Sequence, residues 1–394
     1  MQPQASNSHH ASKSTNDLNH VERLLRNYSD TFERLGVISP AEQDTILGLF
    51  VSAGVSDIIL SREQGVWILQ HGIAEPVREV SDDLARALFN GIVRRLGVEV
   101  THYETKSFEG SLDLGSYRFR ISVFRQNLGG RMVLRVLSTQ IPDPQKIDLP
   151  ATALKLMITL RQGLILICGP AGSGKTTTIA SALKARGELL QEHVITLEDP
   201  VEYMMPTHAR TIYSQRQIGR DEPSFAEGLR AALRQAPHVI VVGEVRDPST
   251  AATALEASET GHLVVATIHA NSADMTVHRY LQMIEPSRQA MAREQLASYT
   301  ELVICQRLCR AQRGYQGRVA LHEMMVKTPA TMNCIRKGLW SELRNELMLG
   351  KKKGHVTFQQ SLHDLHAAGY LSPAEYEDIR ERIEFTHSQA APTH

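Results

Sequence analysis

Leu164-Ile165-Leu166-Ile167-Cys168 runs directly into Gly169-Pro170-Ala171-Gly172-Ser173-Gly174-Lys175-Thr176, and this stretch decides the fold class. Five apolar residues without polar alternation predict a strand buried on both faces. The next eight fit GxxxxGK[ST], the phosphate-binding loop between a strand and a helix. Its glycines let backbone N–H groups turn toward phosphates, and the start of the helix at Lys175 adds a favourable dipole. Lys175 is expected to reach the β- and γ-phosphates of a nucleotide, and the Thr176 hydroxyl to hold Mg²⁺. Thr177 completes the predicted nucleotide-binding stretch.

Further short apolar runs surround the loop: His193–Leu197, Val239–Val242 and Leu263–Ile268, separated by helix-compatible segments. Buried strands alternating with helices predict an α/β domain with a largely parallel sheet. Val239-Ile240-Val241-Val242 ends in Gly243-Glu244, so an acid follows a strand where a metal shell needs one. The usual aspartate position is Gly243, which leaves Glu244 to organise Mg²⁺ through water. A second acidic cluster, Glu198-Asp199-Pro200-Val201-Glu202, follows another strand.

The rest of the 394 residues frames this core. Residues 1–20 are polar and predicted disordered, without the apolar region of a signal peptide. From 21 to 137 a smaller domain is expected, in which Tyr117, Phe119, Ile121 and Val123 alternate with Arg118, Arg120 and Ser122. That period of two predicts a half-buried strand with arginines on its open face, returning over Arg131–Leu137 as a hairpin. Pro142, Pro144 and Pro150 suggest an interdomain linker over 138–150. The main domain is expected over 151–310, a helical region over 311–385 and a tail over 386–394. Ser372-Pro373-Ala374-Glu375 reads as a capping box that starts a helix.

Composition narrows the function classes. Lys+Arg and Asp+Glu both number 43, so the chain lacks the basic excess of a nucleic-acid binder. Cys168, Cys305, Cys309 and Cys334 form no CxxC pair, so neither a zinc knuckle nor a disulfide framework is expected. Cys305 and Cys309 read as buried thiols one turn apart on a packed helix. His322-Glu323 opens HEMMV rather than HExxH, which rejects a metalloprotease site. No apolar run approaches the roughly 18 residues of a membrane span, so a cytoplasmic protein is expected.

Four motifs in order, GPAGSGKT (169–176), ITLEDPVEY (195–203), LRAALRQAPHVIVVGEVRD (229–247) and TGHLVVATIHA (260–270), resemble the PilT/GspE secretion ATPase family. The resemblance implies a RecA-like ATPase domain, a PAS-like α+β N-terminal domain and a homo-hexameric ring. It also implies an inner-membrane platform protein as partner, with the motor docked peripherally on the membrane. Glu202 takes the position of the water-activating base, and Glu244 that of the second essential acid. His262 and His269 fall on a histidine box that senses the γ-phosphate or couples subunits. Arg120 and Arg135 match hairpin arginines proposed to contact phosphate held elsewhere in the ring. Arg230 and Arg234, four apart on one predicted helix, are further candidates for such a contact.

One departure is Leu128, which replaces the family's arginine in the hairpin turn. The absence of a tetracysteine module points to the retraction or type IVB-secretion branch. Ala330, Asn333, Ile335 and Arg336 agree in part with a retraction motif. A nucleic-acid motor on the same core and a non-hydrolysing ATP-binding scaffold stand as alternatives. Neutral charge weighs against the first; Lys175, Thr176, Glu202 and Glu244 weigh against the second.

Overall fold

The computed structural model describes residues 23–30, 32–33, 36–70, 73–99, 106–114, 117–137, 140–207, 210–315 and 317–389. The expected tail 1–20 lies outside these residues, as does the end of the C-terminal one. The chain divides into two compact units between Thr139 and Gln140.

The first unit is an antiparallel sheet of β1 (Asp57–Ser61), β2 (Gly65–Gln70), β3 (Ile73–Val77), β4 (Phe108–Leu114), β5 (Tyr117–Gln126) and β6 (Gly129–Leu137). Its order, β3-β2-β1-β6-β5-β4, puts the first and last strands together at the centre. Helices α1 (Pro40–Ser52) and α2 (Asp82–Arg95), with the helical stretch 23–30 that buries Leu25, complete the α+β core. Ser39 and Glu42 close a reciprocal capping box before α1, which satisfies amides that helix geometry leaves free. Ile46, Phe50, Leu88 and Phe89 bury against Ile58, Phe119 and Ile121. The expected hairpin is β5–β6, with Arg120 directly opposite Arg135. Arg118 departs from the expected open face and is 3% exposed. Its guanidinium turns to Ser111 Oγ at 3.1 Å and Asp113 at 3.4 Å, which satisfies its charge while burying it.

The second unit contains β7 (Gly163–Cys168), β8 (His193–Glu198), β9 (Ile212–Gln217), β10 (Val239–Val242), β11 (Leu263–Ile268), β12 (Thr300–Tyr315) and β13 (Arg318–Val326). They form one sheet in the order β13-β12-β7-β11-β10-β8-β9. Every neighbouring pair is parallel except β12–β13. Helices α3 (Ala151–Thr159), α4 (Lys175–Leu189), α5 (Phe225–Ala232), α6 (Pro248–Glu259), α7 (Ala273–Met283) and α8 (Gln289–Tyr299) belong to this unit. So do α9 (Pro329–Lys337), α10 (Trp340–Leu349), α11 (Phe358–Ala367) and α12 (Pro373–Gln389). Alternate strand residues serve opposite faces: Leu164, Leu166, Val264 and Ala266 join one core, Ile165, Ile167, Leu263 and Val265 the other. That is why the strands read as unbroken apolar runs.

Three boundaries differ from expectation. Residues 300–315 are strand, so Cys305 and Cys309 lie on β12 rather than on a helix. Register with β7, Cys305 opposite Cys168, recruits the Leu302–Cys305 run into the sheet, and tertiary pairing overrides local pattern. The C-terminal region therefore begins inside a hairpin, not at a domain break at 310. Much of the expected linker is built into the second unit. Ser181 Oγ donates to the Pro142 carbonyl at 2.6 Å, Lys184 pairs with Asp143 at 3.1 Å, and Leu149 is buried. Finally, α12 extends to Gln389, into the stretch expected as a tail, and starts on the expected Ser372–Glu375 box. Among the described residues no helix is long and apolar enough to cross a membrane.

Arg186 anchors the helix that follows the phosphate loop. It and Glu192 are each 1% exposed by side chain and share two hydrogen bonds, 2.6 and 2.8 Å. Arg186 Nη1 also donates to the carbonyls of Met157 and Ile158, both at 2.9 Å. Arg186→Met leaves Glu192 to Arg161 alone and removes the donor of the Met157 and Ile158 carbonyls, so the second unit should lose roughly 3 kcal/mol. A urea titration followed by circular dichroism should show the lowered midpoint.

Candidate active site

Because β7, β8, β10 and β11 run parallel and in register, their C-terminal ends open on one edge of the sheet. Ligands of open α/β sheets bind outside such edges. The loop 169–174 follows β7, Glu198 ends β8, Glu244 follows β10 by one residue, and His269 follows β11. Residues far apart in sequence thus meet through strand topology alone.

Gly172 and Gly174 adopt φ of +74° and +87°, which a side chain would strain. Gly169 is needed for space as well, since a Cβ there would lie 2.3 Å from the Gln306 carbonyl oxygen. Gly174 caps α4 without any side-chain hydrogen bond to the helix amides. Those first N–H groups remain available to an anion, which they and the helix dipole favour. Lys175 Nζ donates to the carbonyls of Gly169 at 2.8 Å and Pro170 at 2.9 Å, so the ammonium lies folded on its own loop. Burial pushes its pKa down, while the sulfurs of Cys168 and Cys305 and the charges of Glu244 and Glu202 oppose that shift. The cradle of free amides with a lysine at its lip fits a polyphosphate.

Gln306, on β12, braces this loop and was not singled out in the sequence. Its Nε2 donates to the Ser173 carbonyl at 2.7 Å, and its Oε1 accepts from Thr178 Oγ1 at 2.8 Å. The one signal for it is a buried polar residue inside an apolar strand, and such residues need partners. Thr177 is tied across the site to Tyr203, hydroxyl to hydroxyl at 3.0 Å.

A recess of about 100 Å³ lies beside the loop, lined by Thr176, Glu198, Asp199, Glu202, Gly243 and Glu244 among others. The predicted metal and water-activating groups therefore share one cavity. Burial pushes the Glu198 carboxyl up, against hydrogen bonds from Thr196 at 2.6 Å and Gln215 at 3.2 Å. Glu244 faces His269 Nε2 at 3.5 Å and Arg246 at 4.0 Å, and Arg246 reaches Asp199 at 3.7 Å. The glycine at 243 has a steric cause. A Cβ there would stand 2.8 Å from the Leu197 carbonyl oxygen, so β10 and β8 approach too closely for an aspartate. Among the described residues no group of three His, Cys, Asp or Glu side chains could hold a metal alone. A divalent ion here needs Thr176, phosphate oxygens and water.

Other candidates do not join this cavity. His262 precedes β11, at the opposite end of that strand from His269, with its ring near the Ala257 carbonyl at 3.2 Å. Six strand residues at about 3.3 Å each separate it from the loop's edge, so it does not bind the nucleotide of its own chain. Helix α5 ends at Ala232, so Arg230 is on it and Arg234 just beyond; the two do not form the expected one-face pair. Both are exposed, and Arg230 donates to Ser249 at 3.2 Å in a separate groove. Within the first unit, Arg120 pairs with Glu109 at 2.7 Å and Arg135 with Asp57 at 2.8 Å. Leu128 is exposed at the hairpin turn. His322 and Glu323 are buried, Glu323 in an ion pair with Arg344 at 3.0 Å, so HEMMV is structural.

Amide donors and a lysine on one side, with carboxylates across the cavity, suit a phosphate chain with a water opposite it. The molecule is a P-loop ATPase with a RecA-like sheet. Residues 41–377 match the family described as type II/IV secretion system protein, and the chain belongs to that family. The type IV pilus ATPase PilU of Pseudomonas aeruginosa is 34% identical over 344 residues, spanning 86% of this chain and 87% of that protein. The crystal structure of the pilus retraction motor PilT with bound ADP superposes with a TM-score of 0.74 at 32% identity, covering 85% of this chain and 96% of that one. The Legionella pneumophila ATPase DotB shares the fold, with a TM-score of 0.72 at 24% identity over 88% and 96% of the two chains.

Lys175→Ala removes the ammonium that the loop carries toward phosphate. Turnover measured by phosphate release should fall to background in that variant, and activity above about a tenth of wild type would refute the site.

Proposed function

We propose that this chain forms a homo-hexameric ring that hydrolyses ATP to power type IV pilus retraction. The observation that carries this reading is the likeness to a pilus ATPase across 86% of the chain, joined to a complete loop-and-acid site. A platform protein at the cytoplasmic face of the inner membrane is the proposed partner. A type IVB-like secretion or conjugation machine would use the same site and is separated by the experiment below.

In the proposed mechanism the loop amides and Lys175 bind the phosphates of ATP. The Thr176 hydroxyl and, through water, Glu244 would hold Mg²⁺, which would supply charge screening for the phosphates when bound. Glu202 accepts the proton of the attacking water, a role worth roughly 10²–10⁴ in rate. His269 reports the γ-phosphate through Glu244, its neighbour at 3.5 Å. Arg120 and Arg135 supply cationic contacts to phosphate held elsewhere in the ring. Arg230, Arg234 and His262, remote from their own loop, would act across the subunit boundary. Loss of those contacts on hydrolysis lets the two units move. Pro142 and Leu149 of the expected linker pack on the second unit and so would not absorb that motion.

Glu202→Gln should keep ATP binding, read by a fluorescent nucleotide, while hydrolysis falls about 100-fold or more. Unimpaired turnover would remove Glu202 from the base role. Surface pili should be counted in cells carrying Lys175→Ala. Excess pili that do not retract support the proposal, bald cells make this an assembly motor, and unchanged pili point to secretion or conjugation.

A further inference from the structure

Gln215 stands on β9, the edge strand, in register with Thr196 of β8. Its side chain does not serve the strand ladder, which backbone groups make. Instead Nε2 donates to the Tyr203 carbonyl at 2.7 Å and to Glu198 Oε1 at 3.2 Å, while Oε1 accepts the Met205 N–H at 2.8 Å.

These partners bracket Glu202. Tyr203 follows it directly, and Glu198, at the end of β8, shortly precedes it. One side chain therefore holds the strand end before Glu202 and the loop after it. The Glu202 carboxylate lines the recess beside Thr176 and Glu244. Among the described residues it has no hydrogen-bond or ion-pair partner of its own, so the backbone on either side sets where it points.

The chemistry of the brace is specific. Two acceptors and one donor must be met by one group, and a primary amide offers two N–H donors and a carbonyl acceptor. An ionised carboxylate would face Glu198 and the Tyr203 carbonyl with no proton to offer. An ammonium or guanidinium could not accept from Met205.

We infer that Gln215 is a positioning residue for hydrolysis, holding the 198–205 backbone so that Glu202 faces the attacking water. This rests on the reading of Glu202 as the base. Among the described residues Gln215 makes no hydrogen bond to the phosphate loop or Lys175, so its loss separates chemistry from binding.

The test compares Gln215→Leu, Gln215→Glu, Glu202→Gln and the Gln215→Leu/Glu202→Gln pair in the full-length protein. The readouts are kcat and KM for ATP, affinity for a fluorescent ADP analogue, and Tm. Misaiming a catalytic group should lower kcat of Gln215→Leu about 10- to 100-fold. ADP affinity and KM should stay within about twofold, since transition-state contacts alone are lost. Gln215→Glu keeps the size and the acceptor for Met205 and should lose kcat in the same direction, which answers for any folding defect of the leucine variant. In the pair, the leucine should add nothing to the loss caused by Glu202→Gln, the mark of two residues acting as a unit. Wild-type kcat in both Gln215 variants, a parallel fall of affinity and kcat, or additive losses in the pair would each overturn the proposal. Normal turnover in Glu202→Gln removes the base reading and this proposal with it. An inactive Glu202→Gln beside an active Gln215→Leu overturns the proposal alone.

Discussion

The seating of β7 between β11 and β12 is the constraint on which the second unit depends. All six residues of β7 are fully or nearly buried, and both neighbours run parallel to it. A strand covered on every side cannot shift without opening two cores, so the turn that leaves it starts from a fixed point. Gly169 then passes so close to the Gln306 carbonyl that no side chain fits. The phosphate loop owes its shape less to its own glycines than to the strand that abuts them.

Much of this was legible because buried parallel strands leave a plain trace. Val239–Val242 and Leu263–Ile268 stand where their apolar runs predict, and the loop is announced by residue types with few other uses. The hairpin of the first unit followed from alternation, though Arg118 broke the pattern by finding Ser111 and Asp113. Residues 300–315 were misread because their strand character comes from β7, more than a hundred positions away. Local spacing carries no information about that partner. Gln306 and Gln215 were hard to single out for a related reason: an amide in a strand means little until its partners are brought to it.

The acids at the sheet edge show how position divides labour among similar groups. Glu198 is partly buried and takes two donors on one oxygen. Its cost of ionisation is high, and it serves as a fixture. Glu244 is half-exposed between His269 and Arg246, both at long range. Contacts of that length are easily remade when a polyphosphate enters. Among the described residues the Glu202 carboxylate has no hydrogen-bond or ion-pair partner, which suits the role of base proposed for it. Three of the four carboxylates that line the recess thereby differ in their surroundings rather than in their chemistry.

One feature of β12 reaches beyond the site. The strand is 16 residues long, whereas β7 beside it has six. Past Gln306 it leaves β7 and continues as a ribbon with β13, where the Gln312 N–H donates to the Tyr370 carbonyl at 2.9 Å. Tyr370 lies between α11 and α12. One backbone therefore runs from the residue that clasps Ser173 to the C-terminal helices, and a displacement at either end is carried to the other.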